Sequence, residues 1–376
     1  MKFIHLSDLH IGKRVNEFSM IEDQAYILTK IINIIDDEQP EAVFISGDVY
    51  DKSVPSAEAV TLFDDFLYRL SQRDLQTFVI SGNHDSPERI AFGGRLMSQS
   101  GVHLSPVYQK DIEPIRLIDN HGEVAIYLLP FIKPTHVRAY FPEATIESYT
   151  QAVKVALNHL AVDESKRNIL LTHQFVAGSE RSDSEDMSVG GSDNVAVEVF
   201  DAFDYVALGH LHKPQSVGRE TIRYCGTPLK YSFSEANHKK SVTVVEMQAK
   251  GDITIRTVPL VPKRDMKEIR GTYEELITKS NYDHLNLDDY YRITLTNEDD
   301  VSDALNKLRT VYQNIMKLDY DNKRTASQTI IEGANDIEKK SPLALVAEFY
   351  EQQNNQELSV EQRAFLTDLI ETVWED

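Results

Sequence analysis

Aspartate, asparagine and histidine recur in five short runs along this chain, and each run has the makings of a metal-ligand set. They are Asp8-Leu9-His10, Gly47-Asp48 followed by Asp51, Gly82-Asn83-His84-Asp85, Thr172-His173, and Gly209-His210-Leu211-His212. Carboxylate and amide oxygens mixed with imidazole nitrogens, and no thiolate, suit Mn²⁺, Fe²⁺ or Zn²⁺ in a catalytic site over Ca²⁺ or a structural zinc. Residues two apart on extended chain point the same way. Asp8 with His10, and His210 with His212, can therefore each aim two groups into one cavity. A single Asp-x-His arises by chance in many chains. Five such runs in one order are far more specific.

The elements that must position them are legible in outline. Each run follows an apolar, β-branched stretch, at residues 2–6, 42–45, 77–80, 169–171 and 205–208. Every candidate ligand thus falls just past the carboxyl end of a predicted strand, where open α/β sheets place their sites. Residues 18–36 and 56–70 carry apolar side chains at helical spacing, with Ser56 placed to cap the second stretch. Later strands at 123–129, 168–171, 205–208, 221–225, 241–246 and 253–258 predict a second sheet packed on the first. The fold class expected is α/β, a two-sheet sandwich flanked by helices. Residues 177–194, with Gly178, Gly190 and Gly191 among serines and aspartates, read as a long loop between two ligand runs.

Past Pro262 the pattern becomes strand, helix, strand, helix, strand over residues 266–318, a small second α/β domain. Beyond residue 340 it becomes helix, break, helix. Leu343, Val346, Phe349 and Tyr350 form one stripe; Ser359-Val360-Glu361-Gln362 fits a capping box for another, through Phe365, Leu366, Leu369, Ile370 and Val373. The expected divisions are 1–262, 263–335 and 340–376.

Composition narrows the setting. The lone Cys225 excludes an intrachain disulfide and reads as a small buried residue. Ligand residues stand by position 8, so a cleaved leader would destroy the site, and the expectation is a cytoplasmic protein without a membrane span. The formal charge of −21 is poor for a protein that binds nucleic acid alone. Basic residues do gather near the ligand runs (Lys13, Arg14, Arg89, Arg95, Lys213, Lys230, Lys239, Lys240), each with a solvated surface as its plainest reading.

The five runs resemble the calcineurin-like, two-metal phosphoesterases. The flanking words go further: residues 1–13, Ile45-Ser46-Gly47-Asp48-Val49-Tyr50-Asp51, Ile80-Ser81-Gly82-Asn83-His84-Asp85-Ser86, residues 207–214 and Tyr224-Cys225-Gly226-Thr227-Pro228-Leu229 are similar to SbcD-type nuclease subunits. The likeness covers most of residues 1–262 and weakens beyond. It implies a capping domain after the core, and two divalent ions, Mn²⁺ first among them. By the family's pattern Asp8, His10 and His212 bind one ion, Asn83, His173 and His210 the other, and Asp48 bridges. His84 resembles the family's non-ligand histidine facing the scissile phosphate, where it stabilises charge or protonates the leaving oxygen. Asp51 and Asp85 are candidates to orient His84 or a ligand imidazole. Some relatives carry histidine where Asp51 stands, so direct substrate contact there is not assumed.

The activity implied is metal-dependent hydrolysis of DNA, as a 3′–5′ exonuclease on duplex ends and an endonuclease on single strands or hairpins. The implied partners are an SbcC-like coiled-coil ATPase, double- and single-stranded DNA, and a second nuclease subunit within a heterotetramer. A phosphoesterase for small molecules or phosphoproteins shares the ligands but needs neither capping domain nor C-terminal helices. A catalytically dead scaffold is the reading least compatible with a complete ligand set.

Overall fold

The computed structural model describes residues 1–182, 185, 193–299, 301–322, 343, 346–347, 350 and 358–374. Contacts divide the chain into two compact units, residues 1–268 with 288–291, and residues 269–287 with 292–376.

Two six-stranded sheets form the first unit. Its strands are β1 (Lys2–Leu6), β2 (Ala42–Ser46), β3 (Gln76–Ile80), β4 (Val102–Leu104), β5 (Ile115–Asp119) and β6 (Gly122–Leu129). They continue with β7 (Arg167–His173), β8 (Tyr205–Gly209), β9 (Gln215–Val217), β10 (Arg219–Tyr224), β11 (Ser241–Met247) and β12 (Ile253–Pro259). One sheet runs β12-β11-β1-β2-β3-β4 and the other β9-β10-β8-β7-β6-β5. The central strands β1, β2 and β3 are mutually parallel, as are β6, β7 and β8, so their carboxyl ends gather at one rim of each sheet.

Strand alternation separates two cores. Phe3, Phe44, Phe78, Ile169, Leu171, Tyr205 and Ala207 meet in one cluster with residues of both sheets. Leu170, Val206 and Leu208, one residue out of phase, join Ala152, Val153 and Ala156 of the helix Tyr149–His159. Strands buried on both faces read as continuous apolar runs, which is why the five stretches before the ligand runs are so plain in the sequence.

Two expectations change here. Residues 241–246 and 253–258 belong to the first sheet, not the second. β11 lies antiparallel against β1, with Lys2 opposite Glu246 and His5 opposite Thr243, and so covers an edge that β1 would otherwise expose. Apolar pattern reports burial and says nothing about the partner strand. The helix Tyr149–His159, closed by a capping box between Ser148 and Gln151, is an element that the sequence reading lacks. The expected helices are present as Ile21–Glu38 and Ala57–Ser71, the latter with Ser56 Oγ accepting from the Ala59 amide at 3.3 Å.

A three-stranded sheet of Met266–Gly271, Tyr290–Leu295 and Asn314–Tyr320, in that order, carries short helices at Tyr273–Leu276 and Ala304–Arg309. The helix Val360–Trp374 begins with the anticipated reciprocal pair, Ser359 N to Gln362 Oε1 at 2.9 Å and Gln362 N to Ser359 Oγ at 3.1 Å. Most of the helix expected to precede it, and much of the loop 177–194, lie outside the described residues. No described helix is long and apolar enough to cross a membrane.

Candidate metal centre

The turns after β1 and β2 are bound to each other along their backbones. Asp8 N donates to the Gly47 carbonyl at 3.0 Å, His10 N to Asp48 O at 2.9 Å, and Ile11 N to Val49 O at 2.9 Å. This lacing turns Asp8, His10 and Asp48 out of extended geometry, into left-handed conformations with φ of 53°, 44° and 48°. His210 stands at φ 107°. Non-glycine residues seldom adopt such angles, and their grouping at one rim marks a functional site. Glycines give the room. A Cβ on Gly82 would lie 2.1 Å from Asp48 Oδ1, and one on Gly209 would lie 1.8 Å from the Ser46 carbonyl oxygen.

All seven expected ligands, from five strand ends, converge. Potential ligand atoms of Asp8, His10 and His212 lie within 4.8 Å of one another, as do those of Asp8, Asp48 and His173, and those of His10, Asp48 and His84. Asp48 stands between the groups: its Oδ2 is 3.3 Å from His173 Nε2 and 3.7 Å from His10 Nε2, while Oδ1 accepts the His84 amide at 2.9 Å. Asn83 Oδ1 is 3.0 Å from His173 Nε2 and 2.9 Å from His210 Nδ1. His212 Nε2 faces His10 Nε2 at 3.2 Å.

These contacts are what a cation between them would resolve. His173 Nδ1 donates to the Ser46 carbonyl at 2.8 Å, which leaves Nε2 facing the Asn83 and Asp48 oxygens. Asp8 Oδ2 is buried without a hydrogen-bond partner. An orphaned buried carboxylate oxygen is costly, and the mixed oxygen and nitrogen donors fit divalent ions.

Burial pushes the Asp8 carboxyl up to about 6, with Asp48 adding to the rise against the pull of His173. Burial also raises Asp48, but the charge and hydrogen bond of His173 together with His10 and His84 outweigh it and hold the Asp48 carboxyl well below its ordinary range. Burial drives His210 down to about 3 and takes His10 far below the usual imidazole value. For His173 burial is overcome by Asp48, and the ring is raised to about 9.

Neighbouring groups hold these side chains. Asp85, buried, accepts from the amides of Val49 at 3.0 Å, Tyr50 at 2.9 Å and Gly82 at 2.9 Å. It therefore braces the two turns, in place of the imidazole partner expected for it. Asp51 Oδ1 lies 3.7 Å from His10 Nδ1 and takes Lys13 Nζ at 2.7 Å; its carbonyl meets His84 Nδ1 at 3.1 Å. Gln24 and Tyr231 grip the first turn, through Gln24 Nε2 to His10 O at 2.7 Å and Tyr231 Oη to Leu9 O at 2.6 Å.

Sequence reasoning missed the groups around His212. Glu235, fully buried, lies with Oε1 3.1 Å from His212 Nδ1, and Glu185 Oε1 takes the His212 amide at 2.6 Å. Lys240 is a correction as well: read as solvated surface, it is buried against Glu235 Oε2 at 2.5 Å. Neither Glu235 nor Lys240 lies at a ligand-like spacing, so no motif marks them. His5 keeps its plain reading, buried between Tyr205 Oη at 3.0 Å and Leu208 O at 3.2 Å. Cys225 is buried too, and that burial pushes its thiol up to about 12.

The profile of the calcineurin-like phosphoesterases matches residues 1–214, and that described as the Type 5 capsule protein repressor C-terminal domain matches residues 262–354. The chain is 34% identical over 366 residues to the SbcD subunit of the SbcCD nuclease of Staphylococcus epidermidis, covering 96% of this chain and 95% of that one. Among solved structures it is similar to a dimetal phosphatase from Danio rerio, at 11% identity and TM-score 0.39, over 69% of this chain and 96% of that one. A second is the protein TT1561 of Thermus thermophilus, at 14% identity and TM-score 0.40, over 69% and 99%.

Proposed function

The chain belongs to the calcineurin-like phosphoesterases as an SbcD-type nuclease, a metal-dependent phosphodiester hydrolase, and from that premise we propose how its residues share the work. Membership implies divalent ions at the rim described above. Asp8, His10 and His212 would hold one, Asn83, His173 and His210 would hold the other, and Asp48 would be shared between the two sets. The observation that carries this reading is the position of Asp48, within 3.7 Å of His10 on one side and 3.3 Å of His173 on the other. The mixed donor set suits Mn²⁺, Fe²⁺ or Zn²⁺, and the family resemblance puts Mn²⁺ first among them.

When bound, the pair supplies Lewis acidity, a lowered water pKa and positive charge at the phosphoryl oxygens. The protein's own groups do the rest. His84 is held at Nδ1 by the Asp51 carbonyl, and its ring stands 4.9 Å from that of His10. Its Nε2 is the nitrogen proposed to give a proton to the leaving 3′ oxygen. Asp51 acts through His10 and Lys13. Direct contact with DNA is not required of it.

The substrate proposed is DNA, cut from duplex ends in the 3′–5′ direction and within single strands or hairpins, in repair, recombination and replication. The formal charge of −21 supports assigning most DNA affinity to a partner. That partner is an SbcC-like coiled-coil ATPase. The helix Val360–Trp374 supports a docking role, since Phe365 and Leu369 are 66% and 46% exposed one turn apart. A capping domain over 263–335, a partner-binding segment over 340–376 and a cytoplasmic setting complete the proposal. Exposed Val60 and Tyr68 on one helix, and Phe92 and Leu96 on the next segment, support a homodimer of nuclease subunits in the heterotetramer.

The decisive experiment is Mn²⁺-dependent cleavage of blunt duplex and hairpin DNA with and without the ATPase. Duplex-end cleavage that needs both partner and ATP is expected. Equal activity on a small phosphodiester alone, with none on DNA under either condition, would favour a small-molecule phosphoesterase instead.

A further inference from the structure

His212 is gripped at three points. Its amide is taken by Glu185, its carbonyl by Lys240 Nζ at 2.8 Å, and its Nδ1 by Glu235 Oε1 at 3.1 Å. Lys240 directs its other two protons to Glu235 Oε2 at 2.5 Å and Thr227 Oγ1 at 2.6 Å. Glu235 also takes the Tyr231 amide at 3.3 Å and lies 3.4 Å from Thr227 Oγ1. Both charges are buried, a costly arrangement that a fold needing only packing would replace with apolar side chains.

We propose that Glu235, neutralised and aimed by Lys240, is a positioning residue that fixes the His212 ring for metal binding. This inference rests on the reading of His212 as a ligand. A carboxylate accepting Nδ1–H leaves Nε2 with its lone pair toward His10, where a cation would be shared. It also sets the ring's rotation and makes Nε2 a better donor. Groups of this kind, one bond behind a ligating imidazole, are worth about 10–100-fold in metal affinity.

The test uses the full chain, Mn²⁺ binding isotherms and metal-free thermal melts. In Glu235→Gln, one of two Mn²⁺ sites is expected to weaken about 10–100-fold while the other keeps its affinity. Excess Mn²⁺ then restores kcat, which a merely structural defect would not allow. Lys240→Met paired with Glu235→Gln leaves no charge buried alone, so it protects the fold while still removing the carboxylate. It should show the same single weakened site. His212→Ala is the control for the underlying reading and should lose one ion. If His212→Ala retains two ions at wild-type affinity, the ligand assignment fails. If it loses one while Glu235→Gln and the double variant bind both normally, the positioning role alone fails. Equal weakening of both sites together with a large drop in metal-free melting temperature would also overturn it.

Discussion

His84 and Asp48 lie side by side, the His84 amide donating to Asp48 Oδ1 at 2.9 Å, yet only replacement of Asp48 should change the metal content. His84→Ala is expected to keep both ions and lower phosphodiester cleavage about 10²–10⁴-fold, the usual worth of a proton donor or charge stabiliser. Elemental analysis beside single-turnover kinetics checks this; loss of a full metal equivalent would make His84 a ligand. Asp48→Ala should unsettle both ions and abolish turnover more completely than His10→Ala, because Asp48 faces both proposed ligand sets. Two metals per chain with near-normal rate in Asp48→Ala would refute the bridge. The ligand runs are legible because each is a short word at the end of an apolar stretch. Glu235 and Lys240 are not, since contact with His212 is made by the fold across 23 and 28 residues, with no local spacing to announce it. Even the charge of Lys240 misleads, because a lysine in sequence gives no sign of being buried.

At the level of elements, the ends of the strands are more visible than their neighbours. The apolar run 241–246 is as clear as any, yet its pairing with β1 is a long-range choice that no local pattern encodes. Side-chain clamps fix such choices. Arg167, buried at the start of β7, binds Asp119 at the end of β5 through both guanidinium NH groups at 2.9 and 2.5 Å. The hydrogen bonds from Arg167 hold the Asp119 carboxyl far below its ordinary range. The depressed value means its stabilisation is complete above the unfolded carboxylate value near ~3.9 and fades as pH falls toward the folded one. Asp119→Ala should cost about 3 kcal/mol at pH 7, since Arg167 is left buried with only the Gly122 and Gln248 carbonyls. Urea unfolding should find the gap between variant and parent narrowing below about pH 4. A gap that widened on acidification would contradict the ion pair's role.

For the whole molecule, the question is what the C-terminal segment serves. Deleting residues 340–376 should leave the metal-free melt within a few degrees, and Mn²⁺-dependent hydrolysis of a small phosphodiester intact. Binding to the ATPase and ATP-dependent processing of duplex ends should disappear. A thermal melt beside a pull-down decides the matter: a large fall in melting temperature with retained binding would place the segment's apolar stripe on the chain's own body. The capping box at Ser359 and the stripe through Phe365 and Leu369 are both visible in the sequence, but an amphipathic pattern is the same whichever surface covers it.

The left-handed backbone at Asp8, His10, Asp48 and His210 sets function against robustness. Each such residue costs on the order of 1–3 kcal/mol relative to a relaxed conformation, and that cost persists whether or not a substrate is cut. Some inactivating changes, above all to glycine, would therefore relieve the chain and give a protein that resists heat better than its active parent. A selection for thermal survival alone would erode this centre first, and a library screened that way should return stable, dead variants concentrated at the rim of the two sheets.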